Sequence, residues 1–244
     1  MISKIEKIIR KIVFKFIKPK IQYRDMPNSY SQAGEDVIID FLLNQLNISK
    51  PTYLELGVYF GDIHSNTYKF YQQGAKGVLV EAAETLIEGI KRVRPNDIVL
   101  NIGVGVDEKS DADFYIFDNQ GLNTFNKAEA ENKEKSGLNK IRKIAKVPLL
   151  SINSIIENNF SQRPDFLSID IEGLDLEVLQ NLDFEKYPIP IICAETCIYS
   201  ESHIKRKDTS IEKFLFTKDY FIYADTYINT IFVNKNWFEN FNNK

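Results

Sequence analysis

The chain has 244 residues, 43% of them hydrophobic and 12% aromatic, which is enough for a packed core and excludes wholesale disorder. Its 31 Lys and Arg against 34 Asp and Glu give a net charge of −3, so a polyanion-binding domain is not expected and nucleic acid is not an expected partner. The length suits one large α/β domain or two small ones.

The first 20 residues carry seven bases against one acid, +6 in total, which leaves −9 for the remainder. Their apolar residues, Ile2, Ile5, Ile8, Ile9, Ile12, Val13, Phe16 and Ile17, fall on one helical face, and lysines interrupt every candidate signal-peptide core. A basic amphipathic helix over residues 1–24 is therefore predicted ahead of a single domain spanning 25–244. It would lie on an anionic membrane, on a partner protein, or on its own domain. The longest charge-free stretch, Val147 to Ile156, is far short of the roughly 18 residues of a membrane span, so a soluble chain is expected.

Ser31-Gln32-Ala33-Gly34-Glu35-Asp36 reads as a helix start, with Ser31 as N-cap and two acids in the first turn, leading into Val37 to Leu46. From residue 51 onward, β-rich runs alternate with helical ones. The strands are Tyr53 to Val58, Gly77 to Glu81, Asp97 to Val104, Asp165 to Ile171 and Ile189 to Glu195; the helices between them are Asn66 to Gln73, Thr85 to Val93 and Leu174 to Leu182. This is the pattern of a parallel sheet covered on both faces. A helix near Ser210 to Thr217 and two β-rich runs, Tyr220 to Asp225 and Asn229 to Asn234, close the chain with a hairpin. Asn126 to Lys146, dense in Lys, Glu and Asn, is expected to be a charged helix-turn-helix insertion, either a lid or a solvated excursion.

The only cysteines are Cys193 and Cys197. On one strand their Cα atoms would be about 13 Å apart. A disulfide tolerates at most about 7 Å, so two reduced thiols and a cytoplasmic setting are expected. His64 and His203, the only histidines, have no zinc-site spacing.

Tyr53-Leu54-Glu55-Leu56-Gly57-Val58-Tyr59-Phe60-Gly61-Asp62 runs from a hydrophobic strand into a glycine-punctuated loop. In open parallel sheets ligands bind beyond the strand carboxyl ends, where glycines let the backbone approach them. The Glu-x-Gly-x-x-x-Gly spacing lacks the second glycine of a dinucleotide fingerprint, and Tyr59 and Phe60 crowd the loop, so NAD and FAD are disfavoured. Glu55 can anchor an ammonium, and Glu81, at the tip of the next strand, is placed to accept hydrogen bonds from ribose hydroxyls. Together they predict a site for an adenosine with a cationic amino-acid tail, which describes S-adenosylmethionine.

Ser31-Gln32-x-Gly34-Glu35-Asp36, Glu55-x-Gly57, Ser65-Asn66-Thr67, Phe70-Tyr71-x-x-Gly74-x-x-Gly77-Val78-x-Val80-Glu81, Phe166-Leu167-Ser168-Ile169-Asp170-Ile171-Glu172-Gly173 and Glu195 resemble the FkbM-type methyltransferases over about residues 30–235. The resemblance implies a class I, Rossmann-like, mostly parallel seven-stranded sheet ending in an antiparallel hairpin. It also implies S-adenosylmethionine as donor and hydroxyls of sugars or polyketides as acceptors. Carried over by position, Glu55, Gly57, Gly61, Glu81 and Ala82 line the cofactor, with Asn66 and Asp170 nearby. The amphipathic start, the charged insertion and His64 depart from the family pattern and leave the acceptor open.

Asp170 and Glu172 close the fourth strand, next to the first, so Asp170 is expected near Glu55, each raising the other's pKa. Methyl transfer needs the acceptor held near the methyl and a base for its proton. Asp170, His64 and His203 are the candidate bases. Glu195 and Glu172 border the same crevice as substrate-binding candidates, the alternative for Glu172 being a helix cap. Asp170, Glu172 and Glu195 could also hold a divalent metal, although no spacing demands one. The expected activity is O-methylation of a carbohydrate in surface polysaccharide or glycoconjugate biosynthesis. Alternatives are N-methylation of an amino group and a non-catalytic, membrane-recruited interaction protein. Homo-oligomerisation is open.

Overall fold

A computed structural model describes residues 28–106, 111–135, 137, 139–198 and 206–242. The basic segment predicted at 1–24 and the candidate base His203 lie outside the described residues. In chain order the elements are α1 (Glu35–Gln45), β1 (Tyr53–Leu56), α2 (Tyr68–Gln72), β2 (Gly77–Val80), α3 (Glu84–Val93), β3 (Ile98–Leu100), β4 (Gly103–Gly105), β5 (Asp111–Phe117), a 3-10 turn (Gln120–Leu122), α4 (Lys127–Lys135) and β6 (Ile141–Ser151). There follow α5 (Ile152–Asn159), β7 (Phe166–Ile169), α6 (Asp175–Asn181), β8 (Ile191–Glu195), β9 (Cys197–Ile198), β10 (Arg206–Lys207), α7 (Ser210–Phe216), β11 (Tyr220–Asp225), β12 (Asn229–Asn234) and α8 (Lys235–Asn242).

The main sheet has seven strands in the order β11-β12-β8-β7-β1-β2-β3. Pairs from β3 to β8 are parallel, and β12 is antiparallel to both β8 and β11. This is the arrangement that the resemblance implies, an open α/β sheet closed by an antiparallel hairpin. Every residue of β1, β2 and β7 is buried, as continuous hydrophobic runs covered on both faces require. One face packs Leu54, Leu56, Val80 and Ile169 against Ile152, Ile155 and Ile156 of α5 and Val178 and Leu179 of α6. The other packs Tyr53, Leu79 and Phe166 against Ile39, Leu42 and Leu43 of α1, Phe70 of α2 and Ile90 of α3. Because β1 is flanked by β2 on one side and β7 on the other, the chain's path reverses at β1. A ligand crevice is expected beyond the carboxyl ends of these three strands.

Three local expectations are corrected. The α1 N-cap is Gly34 at φ +94°, while Ser31 sits one turn earlier with its Oγ accepting from the Gly34 N–H at 3.1 Å. The strand expected at Asp97 to Val104 breaks at Asn101, whose Nδ2 donates to the carbonyls of Glu81 and Ala82; β3 pairs with β2, and β4 with β6. The charged insertion is a helix followed by a strand, since residues 141–148 pair antiparallel with β5 and 149–151 continue in parallel with β4. Ala145, Val147 and Leu149 point inward at a period of two, while Lys146 and Pro148 between them face water. Both cysteines are buried and free, Cys193 on β8 and Cys197 on β9.

Candidate functional site

The β1 turn is built around close backbone approach. Gly57 has φ +81°, and a Cβ there would lie 1.8 Å from the Asp170 carbonyl oxygen, so only glycine lets the loops after β1 and β7 sit side by side. Tyr59 follows at φ +57°, a conformation that non-glycine residues rarely adopt. It is held by Glu81, whose Oε2 accepts the backbone N–H groups of Val58 at 3.2 Å and Tyr59 at 3.0 Å. Glu81 Oε1 accepts from Ala83 N–H at 2.8 Å. Burial pushes the Glu81 carboxyl above its ordinary range, opposed by these N–H donors.

Glu55 lies elsewhere. Strand alternation puts it on the Tyr53 face, away from the crevice, where its carboxylate accepts from Thr67 Oγ1 at 2.6 Å and Ser65 Oγ at 3.1 Å. Arg94, fully buried, reaches this face from the end of α3. Its Nε donates to Asp97 at 2.8 Å, Nη1 to the Gly61 carbonyl at 2.9 Å, and Nη2 to Tyr53 Oη and Thr67 Oγ1 at 3.0 Å each. The guanidinium is 3.9 Å from Glu55, and it only partly offsets the burial that raises the Glu55 pKa. Gly61 and Asn66 are likewise outside the crevice lining. A Cβ on Gly61 would meet Arg94 and Ile90, and Asn66 donates to Ser168 Oγ at 3.1 Å beneath the site. Of the cofactor residues implied by resemblance, then, Glu55, Gly61 and Asn66 brace the loop from behind, whereas Gly57, Glu81, Ala82 and Asp170 line the crevice.

Asp170 does not meet Glu55. Its neighbours are Glu172 and Glu195, and the three offer oxygen atoms within 4.8 Å of one another, a spacing that could also hold a divalent cation. Desolvation, then the charges of Glu172 and Asp175, push the Asp170 carboxyl up. Desolvation and the Asp170 charge push the Glu195 carboxyl up as well, and the two side chains are hydrogen-bonded to each other. Burial and mutual repulsion thus favour a shared proton on this pair. Glu172, at φ +52° past the strand end, is ion-paired with Lys133 of α4 at 2.8 Å. Lys133 also reaches Glu129 at 2.8 Å. Glu172 does not cap α6, whose N-cap, Leu174, makes no side-chain cap hydrogen bond; Asp175, the first residue of that helix, instead accepts the N–H groups of Ile171 and Gly173 in the preceding loop.

These residues open onto a crevice of about 370 Å³, within the roughly 300–1,000 Å³ of small-molecule clefts. His64, at φ +58°, lines it, as does Gln32 of the loop before α1. A second cavity of about 520 Å³ shares Glu172 and Glu195 with the first and is bounded by Glu129, Asp175, Asp208 and Ser210. Sequence reasoning missed one wall: Phe114 of β5 and residues Asn119 to Asn123 with Phe125. Gly121 in Asn-Gln-Gly-Leu-Asn was the signal of a turn there. The glycine turn, the Glu81 carboxylate in the crevice lining and the cleft volume together fit a nucleoside bearing an amino-acid tail.

Residues 55–222 match the Methyltransferase FkbM domain. No curated protein matches the chain. Among solved structures, it is similar to a methyltransferase from Geobacter sulfurreducens (11% identity, 96% of each chain covered, TM-score 0.45). It is also similar to an O-methyltransferase from Bacillus cereus in complex with SAH (12% identity, 93% of this chain and 97% of that one, TM-score 0.42). A third is 1,6-didemethyltoxoflavin-N1-methyltransferase from Burkholderia thailandensis, with bound 1,6-didemethyltoxoflavin and S-adenosylhomocysteine (8% identity, 96% and 90%, TM-score 0.41).

Proposed function

We propose that this chain, which belongs to the FkbM methyltransferase family and is an S-adenosylmethionine-dependent methyltransferase, methylates a hydroxyl group of a carbohydrate. When bound, the donor supplies an electrophilic sulfonium methyl, and the protein's task is to position an acceptor oxygen and remove its proton. The observation that carries the reading is the Asp170–Glu195 pair, in which Asp170 lines the crevice and Glu195 is shared by both cavities. A hydroxyl needs a base, and Asp170, its carboxyl pushed up by burial and by the charges of Glu172 and Asp175, is suited to be one. Glu172 is fixed by Lys133 and shapes the passage between the cavities. His64 stands at the crevice as an alternative base.

The residues around the second cavity are mainly polar, including Asn132, Thr196, Asp208 and Ser210, which suits a polyhydroxylated acceptor. Its carboxylates Glu129, Asp175, Glu177 and Asp208 favour a second reading, transfer to the amine of an amino sugar. Residues 1–20, at +6, would bring such an enzyme to an anionic membrane carrying a lipid-linked glycan, as part of surface polysaccharide assembly. The deciding experiment is methyl transfer from labelled S-adenosylmethionine to matched hydroxyl and amino sugars by wild type and Asp170→Asn. Transfer to hydroxyl sugars that Asp170→Asn abolishes supports the first reading. Transfer to amino sugars alone, insensitive to that substitution, supports the second.

A further inference from the structure

Asn123 is 8% exposed and lines the crevice, yet its side-chain Nδ2 has no hydrogen-bond partner among the described residues. The amide cannot turn to satisfy itself. Its Oδ1 accepts the Phe117 backbone N–H at 2.9 Å, and a flip would set donor against donor. The segment that carries it is fastened on both sides. Thr85 Oγ1, in the first turn of α3, donates to Gln120 Oε1 at 3.0 Å, and Thr124 Oγ1 donates to the Glu172 carbonyl at 2.9 Å. Tyr115 and Thr124 exchange backbone hydrogen bonds at 2.9 and 3.2 Å. Asn123 itself is extended, at φ −63° and ψ 138°, so its side chain and that of Phe125 share one side while Thr124 points to the other. Both Asn123 and Phe125 face the crevice, where Ala82, Ile102 and Gly103 complete an apolar slot next to Glu81. A buried donor with no acceptor, in a lining that also holds the apolar Ala82, Ile102 and Phe125, suits a heterocycle with a ring nitrogen.

We propose that Asn123 recognises the purine of the methyl donor, its Nδ2 donating to a ring nitrogen while Phe125 and Ile102 flank the ring. This rests on the methyl-donor reading of the crevice. The test is calorimetric binding of S-adenosylhomocysteine and its 1-deaza, 3-deaza and 7-deaza analogues to the full chain. Each is titrated into wild type and Asn123→Asp, which keeps the acceptor for Phe117 N–H and removes the donor.

In the wild type, one deaza analogue is expected to bind about tenfold more weakly than S-adenosylhomocysteine. In Asn123→Asp, S-adenosylhomocysteine is expected to weaken to a similar degree and that analogue to lose its handicap. Indifference of the wild type to all three replacements, with S-adenosylhomocysteine itself bound, would overturn the role of Asn123 and leave the donor assignment standing. Failure of S-adenosylhomocysteine to bind the wild type would overturn both. The analogue series needs no substitution, so a variant that fails to fold does not stand in its way.

Discussion

Arg94→Met removes a fully buried cation that bonds four partners on four segments: Asp97 before β3, Gly61 in the loop after β1, Tyr53 on β1 and Thr67 at the start of α2. Methionine fills much of the volume, so the loss is mainly electrostatic. It leaves the Gly61 carbonyl without its donor and Glu55 and Asp97 buried without their cation. Breaking a buried ion pair from one side costs about 3–5 kcal/mol. For a domain of this size each kcal/mol shifts the midpoint by roughly 2–4 °C, so thermal melts should fall by roughly 6–20 °C. Arg94→Lys keeps the charge but not the fork, and is expected to lose about half as much. Adding Glu55→Gln to Arg94→Met should recover part of the loss, because one of the stranded carboxylates is then neutral. Urea melts followed by circular dichroism give the numbers. A loss under about 1 kcal/mol for Arg94→Met, or no recovery in the double variant, would refute the claim that this network braces the loop.

Gly57→Ala should destabilise by more than about 1 kcal/mol and lower S-adenosylhomocysteine affinity at least tenfold, because the new Cβ meets the Asp170 carbonyl; calorimetry showing wild-type affinity would contradict this. Asp170, Asp175 and Glu195 all have folded pKa values above their unfolded ones, Asp175 at about 6. Folding therefore favours their protonated forms, and the stability they contribute is present below about pH 4 and is lost as pH rises through the folded values. Glu195→Gln should flatten the fall in thermal midpoint between pH 5 and 8, and an unchanged slope would contradict the shared proton. Lys133→Met should destabilise by about 3–5 kcal/mol by leaving Glu129 and Glu172 without their common cation, as measured by urea melts. Deleting residues 1–20 should abolish co-sedimentation with anionic vesicles while preserving S-adenosylhomocysteine affinity; loss of folding would instead indicate a segment docked on its own domain.

The crevice residues that sequence made legible are those whose chemistry depends on a strand end. Gly57, Glu81 and Asp170 follow hydrophobic runs, and the parallel topology carries such ends to one edge of the sheet. Glu55 shows where that logic stops: it sits on the right strand, but a period of two turns it to the face covered by α2 and α3. Arg94 gave no signal, because a basic residue at a helix end ordinarily faces water, and its burial arises only when β1, β3 and the loop converge on it. The wall from Asn119 to Phe125 has neither helical nor strand periodicity. Its place over the crevice is set by long-range bonds to Thr85 and Glu172. The hairpin of β11 and β12 matched its expected bounds because both strands are short apolar runs separated by Thr226 to Ile228.

A crevice built for the methyl donor should bind the donor's product, S-adenosylhomocysteine. The thermal midpoint of the purified full chain should be measured with S-adenosylhomocysteine and, separately, with NAD. Ligand at a hundredfold over its dissociation constant adds about 2.7 kcal/mol, and a rise of roughly 5–10 °C with S-adenosylhomocysteine and none with NAD is the predicted result. An unmoved midpoint at millimolar S-adenosylhomocysteine, or a rise with NAD alone, would contradict it.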